Sequence, residues 1–366
     1  MARSPTVYDV AKRAGVSIAT VSFAFGQPER VKHSTREAVL AAADALGYVP
    51  SGNARGLARG RTGALGLFSF DYLMDASGSP PQTANEPPDR GLAASTGEDP
   101  NEDFRLFPLY LDEVQRGFEL ECWRRGYALL IGGGNRFSSR AVVADIAGRV
   151  DGLAVFPGTV PDEVMQRISR RIPVVELSEP SHEGETSHVT VDNAAGMQAL
   201  TQHLISVHGY RDYLFVGPLV NSDNEARFRG FASTLEAAGI PVPAQPRAEP
   251  EGAFSAARFV REIVERDALP EVFVCATDPE ALAVLDALAE AGVRVPEQVA
   301  VTGFDGIVAG RIVRPSLTTV RQPMEQMGRA AVDILVDRLS DPDKAAVSLH
   351  LPVSVLLRES CGCPSR

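Results

Sequence analysis

Little in this sequence invites sulfur chemistry or insertion into a lipid. Four cysteines (Cys122, Cys275, Cys361, Cys363) are spread over 366 residues, too few and too scattered for a disulfide framework. No apolar run approaches the ~20 residues of a membrane span. The start, Met1-Ala2-Arg3-Ser4-Pro5, lacks the apolar stretch of a signal peptide, so the expectation is a cytoplasmic protein with no membrane partner. The six histidines (His33, His182, His188, His203, His208, His350) form no HExxH, and His203 and His208, five apart, miss a common α-helical face. Gly132-Gly133-Gly134 lacks both GxGxxG and a Walker lysine and reads as a turn. No nucleophile elbow occurs among the many serines. No catalytic constellation, cofactor motif or metal-ligand set is expected, and the chain reads as a non-enzyme. Cys361-Gly362-Cys363 reads as a metal-binding pair, as a strained redox pair or, in preference to both, as a frayed tail, and Trp123, on the same helix as Phe118, as packing.

What is present is an uneven charge. The net charge of −11 argues against a polyanionic partner until it is divided. Residues 1–61 hold nine Lys/Arg against four acids, a balance of +5, which leaves −16 on the remainder. A basic head on an acidic body is the asymmetry of a molecule that meets a polyanion with its head alone. The apolar share, 44%, is that of an ordinary globular protein, and the length accommodates two or three domains.

The head carries a two-helix pattern. Thr6 and Asp9 are spaced as a capping box, and Val7, Val10, Ala11 and Ala14 fall on one face. Gly15 stops that helix, since glycine takes positive φ without steric cost. Ser17 caps a second helix bearing Ile18, Val21 and Phe25. Two helices about a glycine turn make a helix-turn-helix, whose second member fits a DNA major groove. Ser34 and Glu37 predict a capping box for a third helix ending at Gly47. Residues 51–61 make a poor isolated helix, because they are short, contain Gly56 and carry mutually repelling arginines. They read either as a flexible linker or as a segment that folds on DNA, with Leu57 entering a base step.

From Gly63 onward short apolar runs alternate with amphipathic segments. Strands are expected at 63–68, 128–131, 151–156, 172–176, 213–216, 272–275, 299–302 and about 347–357. Helices are expected at 109–125, from Asp192 to about 207, and at 225–238, 255–266 and 279–291. Such alternation predicts parallel sheets covered on both faces. Two series of it predict two lobes with a ligand cleft at the carboxyl ends of the strands.

Seven blocks, in order, resemble the lactose-repressor/galactose-repressor (LacI/GalR) family of bacterial transcription factors over nearly the whole chain. They are Tyr8-Asp9-Val10-Ala11 with Ala14-Gly15-Val16-Ser17 and Thr20-Val21-Ser22; Leu46-Gly47-Tyr48-Val49-Pro50; Ala54-Arg55-Gly56-Leu57; Val191-Asp192-Asn193 with Gly196; Arg227-Phe228-Arg229-Gly230-Phe231; Val301-Thr302-Gly303-Phe304-Asp305; and Pro315 through Val320. The resemblance implies an all-α helix-turn-helix headpiece at 1–49 and a hinge at 50–61. A periplasmic-binding-protein-like α/β effector domain follows at 62–358, its first lobe about 62–191 plus 320–340 and its second about 192–319 plus 341–358, with a tail at 359–366. It implies a ligand-responsive regulator, by expectation a repressor, that binds a palindromic operator as a homodimer, or as a tetramer built from dimers. The effector it implies is a sugar or related metabolite.

Residue by residue, the resemblance puts Ile18 and Ala19 against base edges, where apolar side chains suit a thymine methyl. Ser17, Thr20 and Ser22 fall at positions that bond phosphates and fix register, and Tyr8 is a further DNA-binding position. Phe23 stands where many relatives carry arginine, so a guanine contact is lost there. Asn53, Arg55 and Leu57 match the hinge, with Leu57 at the intercalating position. In the cleft, Arg227 matches the effector-gripping arginine, Asp305 an acidic residue that bonds sugar hydroxyls, Asp223 a neighbouring position, and Thr277 a place where relatives have asparagine. An arginine fork and a carboxylate suit several hydroxyls at once. Residues 71–107 replace a short loop that usually supplies an aromatic; Phe104, Phe107 or Tyr110 can substitute. This insertion, rich in Ser, Gly and Pro, reads as a flap over the cleft or as a harmless excursion. The competing function is a sugar-binding or sugar-processing protein with a vestigial head.

Overall fold

A computed structural model describes residues 5–49, 61–70, 109–134, 139–178, 186–219, 221–243 and 256–364. The hinge residues Asn53, Arg55 and Leu57, the insertion 71–107 and its Phe104 and Phe107 lie outside the described residues.

The head is three helices: α1 (Val7–Ala14), α2 (Ile18–Gly26) and α3 (His33–Leu46). The Thr6 backbone N–H and hydroxyl both donate to Asp9 Oδ2 (2.8 and 2.7 Å), which fixes the start of α1. Gly15 sits at φ 64° and turns the chain into α2, where Ser17 Oγ accepts from the Thr20 N–H (3.1 Å). Val10, Ala11, Val21, Ala24, Val39, Ala42 and Ala43 form the small core. The box expected at Ser34 and Glu37 is displaced: the N-cap is Lys32, two residues before Ser34, so α3 starts at His33, and Lys32 makes no side-chain capping bond. Ser34 is therefore already inside the first turn.

The body holds two sheets. The first comprises β1 (Ala64–Phe70), β2 (Ala128–Gly134), β3 (Gly152–Val155), β4 (Val174–Leu177), β5 (Ser187–Val191) and β10 (Ser348–Leu351), in the order β10-β5-β4-β3-β1-β2 and parallel throughout. The second comprises β6 (Tyr213–Val216), β7 (Val272–Cys275), β8 (Ala300–Asp305), β9 (Thr318–Arg321) and β11 (Ser354–Leu356), in the order β11-β9-β8-β7-β6, with only β11 antiparallel. β3, β5, β7 and β8 are buried along their whole length, as strands covered on both faces must be.

The flanking helices are α4 (Leu109–Arg125), α5 (Ser139–Ala147), α6 (Asp162–Ser169), α7 (Asn193–His203), α8 (Ser222–Ala237), α9 (Ala256–Glu265), α10 (Asp278–Glu290), α11 (Ala309–Ile312) and α12 (Met324–Ser340). α4 and α12 pack so closely over the first sheet that their backbones nearly touch. A Cβ on Gly117 would stand 2.0 Å from the Glu325 carbonyl oxygen, and one on Gly328 2.0 Å from that of Val114. The chain passes between lobes three times: from β5 into α7, from β9 into α12, and from β10 to β11.

Four expectations are corrected here. The strand foreseen over about 347–357 is two strands, and Ser348–Leu351 belongs to the first sheet, so residues 341–358 are not all part of the second lobe. Pro352 interrupts the run, and a proline cannot donate to a ladder. Gly132-Gly133-Gly134 is no turn but the end of β2, paired with residues 68–70 of β1. Trp123 is 81% exposed on the outer face of α4. Residues 359–361 are no frayed tail: Ser360 and Cys361 are fully buried against the second sheet, where Ser360 Oγ donates to the Val301 carbonyl (2.6 Å).

Candidate functional site

Two surfaces carry the residues singled out by the sequence. On the head, Tyr8, Ser17, Ile18, Ala19, Ser22 and Phe23 are exposed and Thr20 is half-buried. Ile18 and Phe23, 41% and 38% exposed, are apolar side chains held in water by a helix whose inner face is already filled by Val21 and Ala24. Ile18 thus lies outside the head's core, whereas Phe25 packs on Tyr48 with ring centroids 6.1 Å apart. The Ser17 and Thr20 hydroxyls are 2.9 Å apart and share a hydrogen bond at the N-terminus of α2. The Arg30 guanidinium lies over the Phe23 ring, 5.2 Å from its centroid.

The second surface is at the carboxyl ends of the strands. Asp223 and Arg227 come one turn apart on α8, Asp305 ends β8, and Thr277 follows β7 as the N-cap of α10. Parallel β-α units place these ends together, which is why residues so distant in sequence converge. The Arg227 side chain is only 4% exposed. Its Nε donates to Asn193 Oδ1 and its Nη1 to the Ala276 carbonyl, both at 2.8 Å. Nη1 is 3.5 Å from Asp305 Oδ1, Nη2 is 4.0 Å from Asp223 Oδ2, and the guanidinium carbon sits 3.9 Å over the Phe304 ring. A buried guanidinium needs such compensation, since one left unpaired costs several kcal/mol.

The acids outnumber the cation. Asp223 accepts from Asn193 Nδ2 (2.7 Å) and Asp305 from Gln322 Nε2 (2.7 Å). Thr277 donates its hydroxyl to Glu280. Burial pushes the carboxyls of Asp223 and Asp305 above their ordinary range, against the pull of Arg227. Glu280 is raised to about 7, by burial first and by Asp305 second. Asp278, fully buried, accepts from Thr319 Oγ1 (2.6 Å) and the Ile307 N–H (2.8 Å) and is also raised by burial. Asp305 itself holds φ at 119°, a conformation that costs a non-glycine residue ~1–3 kcal/mol and recurs at ligand clamps.

The first lobe contributes from the opposite side. Tyr110 on α4 bonds Ser178, at the end of β4, with 2.6 Å between the hydroxyls. Burial raises its phenol, and the charges of Asp223, Asp305 and Arg227 reach it. Of the three aromatics considered for the cleft, Tyr110 is the one among the described residues, and it faces the site. Of the four residues singled out by the sequence, the structure brings Asp223 and Asp305 to Arg227, while Thr277 meets Glu280; sequence reasoning did not assign Asn193, Gln322, Ser178, Glu280 or Phe304 to the site. For Asn193 and Phe304 a signal existed, since both fall in the blocks that carry the resemblance.

Comparison with known proteins settles the family. Residues 6–51 match the family described as "Bacterial regulatory proteins, lacI family", and residues 201–361 match the "Periplasmic binding protein-like domain". The HTH-type transcriptional repressor PurR of Proteus mirabilis (strain HI4320) is 30% identical over 365 residues, covering 97% of this chain and 96% of the relative. The chain belongs to the LacI family.

Among LacI-family structures, the transcriptional regulator CelR–cellobiose complex is 27% identical, with a TM-score of 0.63 over 97% of this chain and 99% of that one. The Lac repressor bound to ONPG in the repressed state is 25% identical, with a TM-score of 0.73 over 98% and 100%. The fold is that of the family: a helical head and an α/β body of parallel sheets. The relatives are repressors rather than enzymes. Among the described residues, no helix is long and apolar enough to cross a membrane.

Proposed function

We propose that this chain binds a palindromic operator as a homodimer and that a polyhydroxylated small molecule, of carbohydrate type, sets its affinity. The head presents α2 to the major groove, with Ile18 and Ala19 at thymine methyls and Tyr8, Ser17, Thr20, Ser22 and Phe23 along the backbone and groove edge. The hinge residues Asn53, Arg55 and Leu57 meet the minor groove between the two half-sites. The effector lies between Tyr110 and Ser178 of one lobe and Asp223, Arg227, Thr277 and Asp305 of the other.

The observation that carries this reading is the buried Arg227 fork, ringed by carboxylates and stacked on Phe304 at the carboxyl ends of the strands. Carboxylates accept from hydroxyls and the guanidinium donates to them, which together fit a sugar. A CelR relative bound to cellobiose supports the choice of class. Ligand that favours one lobe arrangement shifts operator affinity by the coupling energy, ~1–3 kcal/mol or about 5–150-fold.

The test is a mobility shift on the chain's own upstream DNA with a panel of sugars. Sequence-specific binding that weakens steeply with salt is expected, because each neutralised phosphate adds ~0.9 to the log–log slope. A protein that prefers no fragment over scrambled competitor, with or without sugars, refutes the reading.

A further inference from the structure

His203 and His208 are not on one α-helical face, yet they meet. α7 ends at His203, and the next five residues, Leu204–His208, wind as a π turn closed by Gly209 at φ 76°. A π turn repeats at i+5 rather than i+4, so the two imidazoles come together with Nε2 atoms 3.2 Å apart. The other end of the chain arrives at the same point. Cys361 is fully buried and Cys363 half-buried, and Gly362 between them holds φ at 97°, which turns both thiols toward the rings. Cys363 Sγ lies 3.4 Å from His203 Nε2 and 3.5 Å from His208 Nε2, and all four ligand atoms lie within 4.8 Å of one another.

We propose that His203, His208, Cys361 and Cys363 form a tetrahedral structural zinc site that clamps the C-terminal segment to the end of α7. Ordinary Zn–N and Zn–S bond lengths give tetrahedron edges of about 3.3 Å for N···N and about 3.6 Å for N···S. The three separations among His203, His208 and Cys363 match those edges to within about 0.2 Å before any ion is added. Two thiolates with two imidazoles suit zinc and do not suit calcium or magnesium, which take oxygen ligands.

The surroundings support the ligands in the way outer partners of metal sites do. Tyr210 stacks on His208, with centroids 5.4 Å apart and planes at 19°, and its hydroxyl donates to the Cys361 carbonyl (3.2 Å). Thr318 Oγ1 stands 3.0 Å from Cys361 Sγ, placed to donate to a thiolate. Binding forms two Zn–S and two Zn–N bonds and releases the two thiol protons to solvent, so the loaded site is neutral. The clamp is independent of the effector reading, although the helix it holds begins at Asn193, the partner of Arg227.

The experiment is elemental analysis of the full chain, purified under reducing conditions without an affinity tag that binds metal. About one zinc per chain is expected to survive dialysis. Cys363→Ser and His208→Ala should each lower that content about tenfold or more, while Cys122→Ser leaves it unchanged. Because a variant can fail for reasons of folding, the unaltered protein is also stripped with a chelator and titrated with Co2+. A thiolate-to-cobalt charge-transfer band with tetrahedral d–d absorption, saturating at one equivalent and displaced by zinc, is the expected result. Reduced protein that retains no zinc and gives no such band overturns the proposal, as does a Cys361–Cys363 disulfide in freshly isolated, metal-free protein.

Discussion

Replacing Glu280 with glutamine should make this protein more stable at alkaline pH and nearly leave it alone in acid. Glu280 lies in the first turn of α10, takes a hydrogen bond from Thr277, and has its carboxyl raised from 4.5 to about 7, by burial first and by Asp305 second. The folded protein therefore holds that proton more tightly than the unfolded chain. The stability this confers is present in full below about pH 4.5 and is lost as the pH rises through about 7. At 1.36 kcal/mol per pH unit the loss has a ceiling of about 3 kcal/mol at pH 8 and is under about 1 kcal/mol at pH 5. Glutamine keeps an acceptor for the Thr277 hydroxyl and has nothing to ionise. Glu280→Gln should thus raise the unfolding midpoint by about 6 °C at pH 8 and by about 2 °C or less at pH 5. Thermal unfolding of both proteins from pH 5 to 8.5 measures the difference, and subtracting the two profiles isolates Glu280 together with its coupling to Asp305. Parallel profiles, offset by a constant, would show that Glu280 is an ordinary ionised carboxylate and that the cleft is wetter than its geometry implies.

Arg227→Met should abolish the effect of sugar on operator binding while leaving affinity without sugar within about threefold, and should lower the unfolding midpoint because Asp305 and Asp223 lose a buried partner; a persisting sugar response refutes the cleft assignment. Leu57→Ala should cost specific operator affinity about 2 kcal/mol, roughly 30-fold, and affect nonspecific binding far less; unchanged affinity in a mobility shift removes the wedge role. Gly328→Ala should destabilise by about 3 kcal/mol or more in urea unfolding, because the added methyl meets backbone that no rotamer change can move; a midpoint unchanged from the parent would mean that α4 and α12 are not in contact in solution.

The legible parts of the fold were those written in local chemistry. Gly15 and Ser17 marked the turn of the head, and the apolar runs at 213–216 and 272–275 marked β6 and β7 residue for residue. The illegible parts depended on distant context. Whether the run near 350 is one strand or two depends on which sheet offers an edge, and Pro352 was the only local hint. Trp123 belonged by pattern to a buried face, yet α4 is already covered by α12 on the side where Gly117 sits, which leaves the indole outside. The histidine pair was dismissed on α-helical spacing, and a single π turn made that spacing irrelevant. In the cleft, charge and family position pointed to Arg227 and Asp305. Glu280 and Gln322 carry no such mark, and they reach the site only because α10 and the β9–α12 connection end there.

The last two strands, β10 and β11, give the two-lobed body a shared weak point. Ser348–Leu351 borders one sheet and Ser354–Leu356 borders the other, so two separate structures are finished by a ribbon of nine consecutive residues. A nonsense mutation anywhere upstream of that ribbon would leave two ragged margins rather than one. Neither half of the body can be cloned as an uncut piece of gene, since each draws on sequence from both sides of its neighbour. A chain still emerging from the ribosome cannot complete the first half until residue 351 has been made, nor the second until residue 356.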